Sequence, residues 1–189
     1  QGIMLDTESA GTIDSLSEGS KDGLDCYSAT ASFGQGITVT PLQMAAAISA
    51  IANGGVMMEP SIVEEIRRSD GNIESRAPKE IRRVISARAA SLLSGMMVGV
   101  VDHGHAKQAR VEGYYVAGKT GTAQIPGPGG YTDETIHSFV GFAPVDDPKF
   151  IMIVKYEKPR RAYAESTAAP VFGDIAKFLL SYYQVPPSR

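Results

Sequence analysis

The sequence predicts an α+β domain in which an antiparallel sheet is covered by helices. Three observations predict it. Two β-prone runs, residues 136–142 and 150–156, flank Pro144-Val145-Asp146-Asp147-Pro148, a spacing that fits an antiparallel pair. A third run, Tyr114-Tyr115-Val116, leads into residues 117–124 and would lie beside the first of these. Apolar residues recur at helical spacing after Thr40, after Ser86 and after Pro170, and strands followed by a covering helix give a layered architecture.

A chain of 189 residues fits one domain and is long enough for a real core. Apolar content of 43% and charged content of 21% are ordinary for a globular fold. The formal net charge is −3, and the basic pairs Arg67-Arg68, Arg82-Arg83 and Arg160-Arg161 are short and scattered, so nothing points to nucleic acid. A lone Cys26 makes no internal disulfide and leaves the redox compartment undefined. No apolar run approaches the roughly 18 residues that a membrane helix needs. The opening Gln1-Gly2-Ile3 reads as part of a longer protein.

In chain order, residues 1–36 are rich in Gly, Ser and Asp and are expected to be a mostly irregular lead-in. Thr40-Pro41-Leu42-Gln43 is a helix start: Thr40 caps, Pro41 occupies the first turn, and Gln43 completes a capping box. Gly54-Gly55 ends that helix, and its small residues predict tight burial. Runs 62–68 and 73–76 flank Asp70-Gly71, a hairpin signal, and make an exposed flap with no catalytic role. Ser86 opens the next helix, with Ala90, Leu93, Met96, Met97, Val100 and Val101 on its predicted inner face and Gly104 as its stop. The methionines are core fillers. Asp102, His103 and His105 lack the further nearby ligand that zinc would require, so a helix-end or cleft-rim role is expected and no metal. Residues 125–134 read as a Pro/Gly-rich loop, with Tyr131 on its far side lining a cleft. The last helix is expected to lay Val171, Ile175, Phe178, Leu179 and Tyr182 on the sheet.

Chemistry concentrates at Ala117-Gly118-Lys119-Thr120-Gly121-Thr122-Ala123-Gln124. Side chains alternate along a strand, so Val116 and Gly118 face one side, Ala117 and Lys119 the other. One cation, two hydroxyls and backbone bared by two glycines suit an anionic or carbonyl-bearing ligand. Residues 113–120 also match the P-loop pattern G-x-x-x-x-G-K-[ST]. Residues 114–117 are strand-forming rather than a phosphate cradle, however, and the glycines and prolines that follow forbid the helix a P-loop requires.

Lys119-Thr120-Gly121-Thr122-Ala123-Gln124 resembles the extended Lys-Thr-Gly box of class B penicillin-binding proteins, the cell-wall D,D-transpeptidases. Residues 31–43 (Ala-Ser-Phe-Gly-Gln-Gly-Ile-Thr-Val-Thr-Pro-Leu-Gln) and Ser138-Phe139-Val140-Gly141-Phe142-Ala143-Pro144 with Asp147-Pro148 resemble two further blocks of that family, in order and spacing. The resemblance implies the C-terminal portion of one penicillin-binding transpeptidase domain over 1–189, with a partial penicillin-binding or serine β-lactamase-like fold. It implies that Lys119 supplies positive potential, that the Thr120 and Thr122 hydroxyls bind the carboxylate of a stem peptide or β-lactam, and that the Thr122 N–H is one oxyanion donor. Gly121 would allow close backbone approach, and Tyr131 would help line the cleft. The residues 1–36 would run beneath that cleft.

Two boxes of the family are missing. No serine here has Lys three residues on or Asn two residues on, so this chain holds no identifiable nucleophile and is expected to be inactive by itself. The resemblance implies an upstream part of the same domain as partner, division or elongation proteins as further partners, an extracytoplasmic site on the cell membrane, and no cofactor. A non-catalytic peptidoglycan- or partner-binding module and a D,D-carboxypeptidase or β-lactamase of the same fold are the alternatives; Thr122-Ala123-Gln124 favours the transpeptidase by resemblance.

Overall fold

The computed structural model describes residue 3 and residues 7–16 and 26–189. Its centre is a three-stranded antiparallel sheet in the order β5 (Ala117–Gly127), β6 (Gly130–Ala143), β7 (Phe150–Glu157). The register runs Ala117↔Phe142 to Gln124↔Thr135 on one side of β6 and Ile136↔Glu157 to Ala143↔Phe150 on the other. The strand that carries Lys119 therefore lies beside the first of the two later strands, as the spacing predicts. There is no P-loop: the segment after Lys119 stays extended through Gly127.

Alternation of side chains splits the core into two layers. On one face Ala117, Phe142 and Ile151 pack with Met97 of α3 (Ala87–Asp102) and with Ile48 and Ile51 of α2 (Pro41–Ala52). On the other, Val116, Phe139, Met152 and Val154 pack against Phe172, Ala176 and Leu180 of α4 (Ala168–Tyr182). The Phe139 and Phe172 rings meet at 4.7 Å, and both are fully buried.

The helix ends follow the sequence. The Thr40 hydroxyl accepts from the Gln43 N–H at 3.2 Å, and the Thr40 N–H donates to the Gln43 side chain at 2.9 Å, a reciprocal capping box. Ser86 accepts from the Ala89 N–H at 3.1 Å. The flap is a hairpin of β2 (Glu65–Arg67) and β3 (Ile73–Ser75) around Gly71, whose φ of 86° suits a residue without Cβ.

Several expectations are corrected. The lead-in contains a short helix, α1 (Cys26–Ala31), and part of the predicted irregular stretch (1, 2, 4–6 and 17–25) lies outside the described residues. A second strand pair, β1 (Val56–Met58) with β4 (Glu80–Arg83), closes around the flap. The predicted 125–134 loop is the end of a hairpin: β5 and β6 continue to Gly127↔Gly130, and Pro128-Gly129 turns the chain with Gly129 at φ 84°. A proline followed by a glycine at positive φ is a tight-turn pair, so the residues that argue for a loop serve a two-residue turn instead.

Helix faces are also reassigned. In α2 only Ala50 is fully buried. In α3 the buried stripe is Ala90, Ser94, Met97 and Val101, while Leu93 and Met96 point outward. In α4 it is Ala168, Ala169, Phe172, Gly173, Ala176 and Leu180; Ile175, Phe178 and Tyr182 are exposed. The reason is close approach. A Cβ on Gly173 would sit 2.6 Å from the Gln108 carbonyl, so the small-residue face is the one that fits the crowded side.

Candidate active site

β5 has β6 on one side and no strand on the other among the described residues. The direction of its backbone groups follows from the register. The Lys158 N–H donates to the Thr135 carbonyl at 2.9 Å, so odd-numbered residues of β6 bond to β7 and even-numbered ones to β5. Val140 and Ser138 are the register partners of Lys119 and Gly121, which therefore direct their N–H and C=O inward. Gly118, Thr120 and Thr122 direct theirs to the open edge. The Val145 N–H bonding inward to the Tyr115 carbonyl at 3.1 Å agrees with this phase.

Thr120 and Thr122 share the α4 face of the strand and line a cavity of about 470 Å³ with His105, Tyr163, Ala164 and Glu165. The far wall is a 3-10 turn, Ala164–Ser166. The Ala164 N–H donates to the Thr122 hydroxyl at 3.2 Å, which engages that oxygen as an acceptor and leaves its own proton free to donate. The two threonine hydroxyls are thus brought to one cavity, and that of Thr122 is oriented.

Lys119 is placed differently. It is exposed and on the α2/α3 face, so it does not line that cavity, and its ammonium donates to the open-edge Thr120 carbonyl at 2.8 Å. Tyr131 lies at the hairpin end, where its hydroxyl accepts from the Gly36 N–H at 3.2 Å, and it does not line the cavity either. The two glycines serve packing. A Cβ at Gly118 would lie 2.2 Å from the Phe139 ring, and one at Gly121 would lie 2.6 Å from the Ser138 hydroxyl. The neighbouring strand requires bare backbone there.

His105, Tyr163, Ala164 and Glu165 line the cavity without belonging to any motif in the sequence. His105 reaches the cavity from beyond the end of α3, and its Nδ1 is 3.6 Å from the Glu165 carboxylate. Asp102, read beside the histidines, is held by an arginine. Both its oxygens accept from Arg189, at 2.5 and 3.0 Å, and this bond holds its carboxyl below the usual range. No group of three potential metal ligands exists among the described residues.

His137 is fully buried across from Thr122 in the register. Its Nδ1 lies 2.9 Å from the Thr167 hydroxyl and its Nε2 3.1 Å from that of Thr135. Burial pushes its pKa below the ordinary 6.5, so the folded protein holds it neutral. The unfolded chain then binds the proton first as pH falls, and stability drops once pH passes below 6.5. Melting temperature is expected to decline between about pH 7 and pH 5, and His137→Gln to flatten that slope. An unchanged slope in the variant would assign the acid sensitivity elsewhere.

An edge strand with two hydroxyls on one face, set in a sheet with helices on both faces, fits a penicillin-binding transpeptidase domain, and the chain belongs to that family. The model of the penicillin-binding protein transpeptidase domain matches residues 1–177. Among curated relatives, penicillin-binding protein PbpB of Mycolicibacterium smegmatis is 40% identical over 168 residues, covering 82% of this chain and 26% of its own length. Stage V sporulation protein D of Bacillus subtilis is 37% identical over 166 residues, covering 85% and 26%. The apo crystal structure of penicillin-binding protein 3 from Mycobacterium tuberculosis superposes with a TM-score of 0.86 at 34% identity, over 100% of this chain and 44% of that one. The same protein in complex with aztreonam superposes with a TM-score of 0.85. These matches place the chain in the class B group as part of a transpeptidase domain. It spans about a quarter of the length of the curated relatives.

Proposed function

We propose that this chain supplies the carboxylate- and oxyanion-binding side of a serine D,D-transpeptidase site that cross-links peptidoglycan stem peptides through an acyl-serine intermediate. The observation that carries the reading is the pair of hydroxyls, Thr120 and Thr122, lining one cavity beside an open strand edge. An extended peptide adds to such an edge through main-chain hydrogen bonds, and its terminal acid meets hydroxyl donors. The Thr122 N–H, directed along the edge, serves as one oxyanion donor; its partner comes from the serine of the upstream part of the domain. Lys119 adds a positive charge on the α2/α3 side of the strand.

The upstream part has a surface to cover. Leu92 and Met96 on α3 are 56% and 66% exposed, and Phe33 in the lead-in is 71% exposed. Apolar side chains this bare fit a domain core shared with a companion segment. Together they form the extracytoplasmic enzyme of a membrane-anchored protein, acting in division or elongation. β-Lactams occupy the same site, consistent with the aztreonam complex of the M. tuberculosis relative.

The test is labelling with a fluorescent penicillin. This chain joined to, or co-expressed with, the segment carrying Ser-x-x-Lys is expected to take one covalent label on that serine, and this chain alone none. Penicillin bound without acylation in the complete domain would reassign it as a binding module.

A further inference from the structure

We propose that Glu165 docks the ammonium group of an amino-acid acceptor whose carboxylate rests on the Thr120 and Thr122 hydroxyls across the same cavity. The proposal rests on the transpeptidase reading above and deepens it by naming what the second substrate must carry.

The two walls of the cavity have opposite hydrogen-bonding character. On the β5 wall, Thr122 has its acceptor capacity engaged by the Ala164 N–H and offers a proton. On the other wall Glu165 offers a carboxylate, which only accepts when ionised. Its backbone is held because it is the next residue after Ala164, which is 1% exposed and bonded to Thr122. Among the described residues Glu165 pairs with no lysine or arginine. Its partner is His105 at 3.6 Å, whose side chain is 95% exposed and so well hydrated. The cavity thus holds an acid that no lysine or arginine among the described residues neutralises, and it shares that cavity with two hydroxyl donors.

A simple anion uses only one wall. A zwitterion fits both. The proposed reaction generates such a species: when the C-terminal residue of the donor peptide leaves, its amide nitrogen becomes an amine on a residue whose carboxylate sits on the threonines. The acceptor attacks along the reverse of that path, so its amine enters where the leaving amine departed. In that step the acceptor ammonium gives one proton to solvent and its nitrogen attacks the acyl-serine carbonyl. The C–N bond forms, the acyl C–O bond to serine breaks, and the second proton passes to the serine oxygen. Glu165 holds the cation before this transfer.

The test uses the complete domain, acylated by a thioester donor, with D-alanine as acceptor. The quantity measured is the partition of the acyl-enzyme between transfer and hydrolysis, which does not depend on how fast acylation occurs. Glu165→Gln is expected to raise the D-alanine concentration for half-maximal transfer about tenfold, the modest scale of a partly exposed charge contact. Glu165→Asp keeps the charge and is expected to stay within about threefold of the wild type on the same grounds. N-acetyl-D-alanine, which has the carboxylate but no ammonium, should compete poorly in the wild type and better in Glu165→Gln. A partition in Glu165→Gln equal to that of the wild type overturns the docking role while leaving the transpeptidase reading intact. A wild-type domain that forms no acyl-enzyme removes that reading, and this site with it.

Discussion

Replacing Lys119 by alanine in the complete domain is expected to slow acylation by a fluorescent penicillin on the order of 100-fold, the scale of losing one preorganised donor at a site of developing charge. The ammonium is exposed and attached to the neighbouring Thr120 carbonyl rather than to a carboxylate, so its charge is available to the cleft. It stands on the face of β5 that α2 and α3 cover, away from the hydroxyl cavity. In the proposed function its role is to bias the potential on one side of the strand, while the threonines hold the acid on the other. Lys119→Arg keeps the charge and should recover much of the rate. Because Lys119 is exposed, the alanine variant should melt as the wild type does, which separates a lost charge from a lost fold. The measurement is the second-order rate constant for label incorporation, and equal constants for wild type and Lys119→Ala would remove the residue from the site.

Phe139→Ala is the substitution expected to cost the fold most, about 3–5 kcal/mol. The ring is fully buried, lies 4.7 Å from Phe172, and fills the space left by the missing Cβ of Gly118 one strand away. Removing it detaches β5 from α4 at the point where the hydroxyl-bearing segment begins. Total stabilities of about 5–15 kcal/mol leave little margin for such a loss. Urea unfolding followed by circular dichroism gives the change directly, and a shift below about 1 kcal/mol would contradict the packing described. Gly118→Ala attacks the same contact from the other side. Combined with Phe139→Leu it should cost less than the sum of the single changes, since each relieves the other.

The order of the three strands was legible because each is a run of one period bounded by its own turn residues. The capping box at Thr40 was legible because it needs only neighbours in sequence. The same locality misled at residues 125–134, where a two-residue turn between paired strands uses the prolines and glycines that also mark loops. Helix faces were the least legible. In α4 the larger apolar residues Ile175, Phe178 and Tyr182 make a good helical stripe, but an adjacent stripe of smaller residues is the one buried. Volume decided the matter, and volume depends on what stands opposite.

By itself, then, the sequence determined the sheet, which of its strands lie side by side, and the segment 119–122 as the place where a cation and two hydroxyls meet. Only the tertiary structure decided what each face of β5 meets, α2 and α3 on the side of Lys119 and the 3-10 turn on the side of the threonines, because alternation sorts side chains into faces without saying what packs on them. It also brought His105, Tyr163 and Glu165 to the threonines from distant segments. No local pattern encodes such a meeting, since it is fixed by the packing of the 3-10 turn at Ala164 against β5.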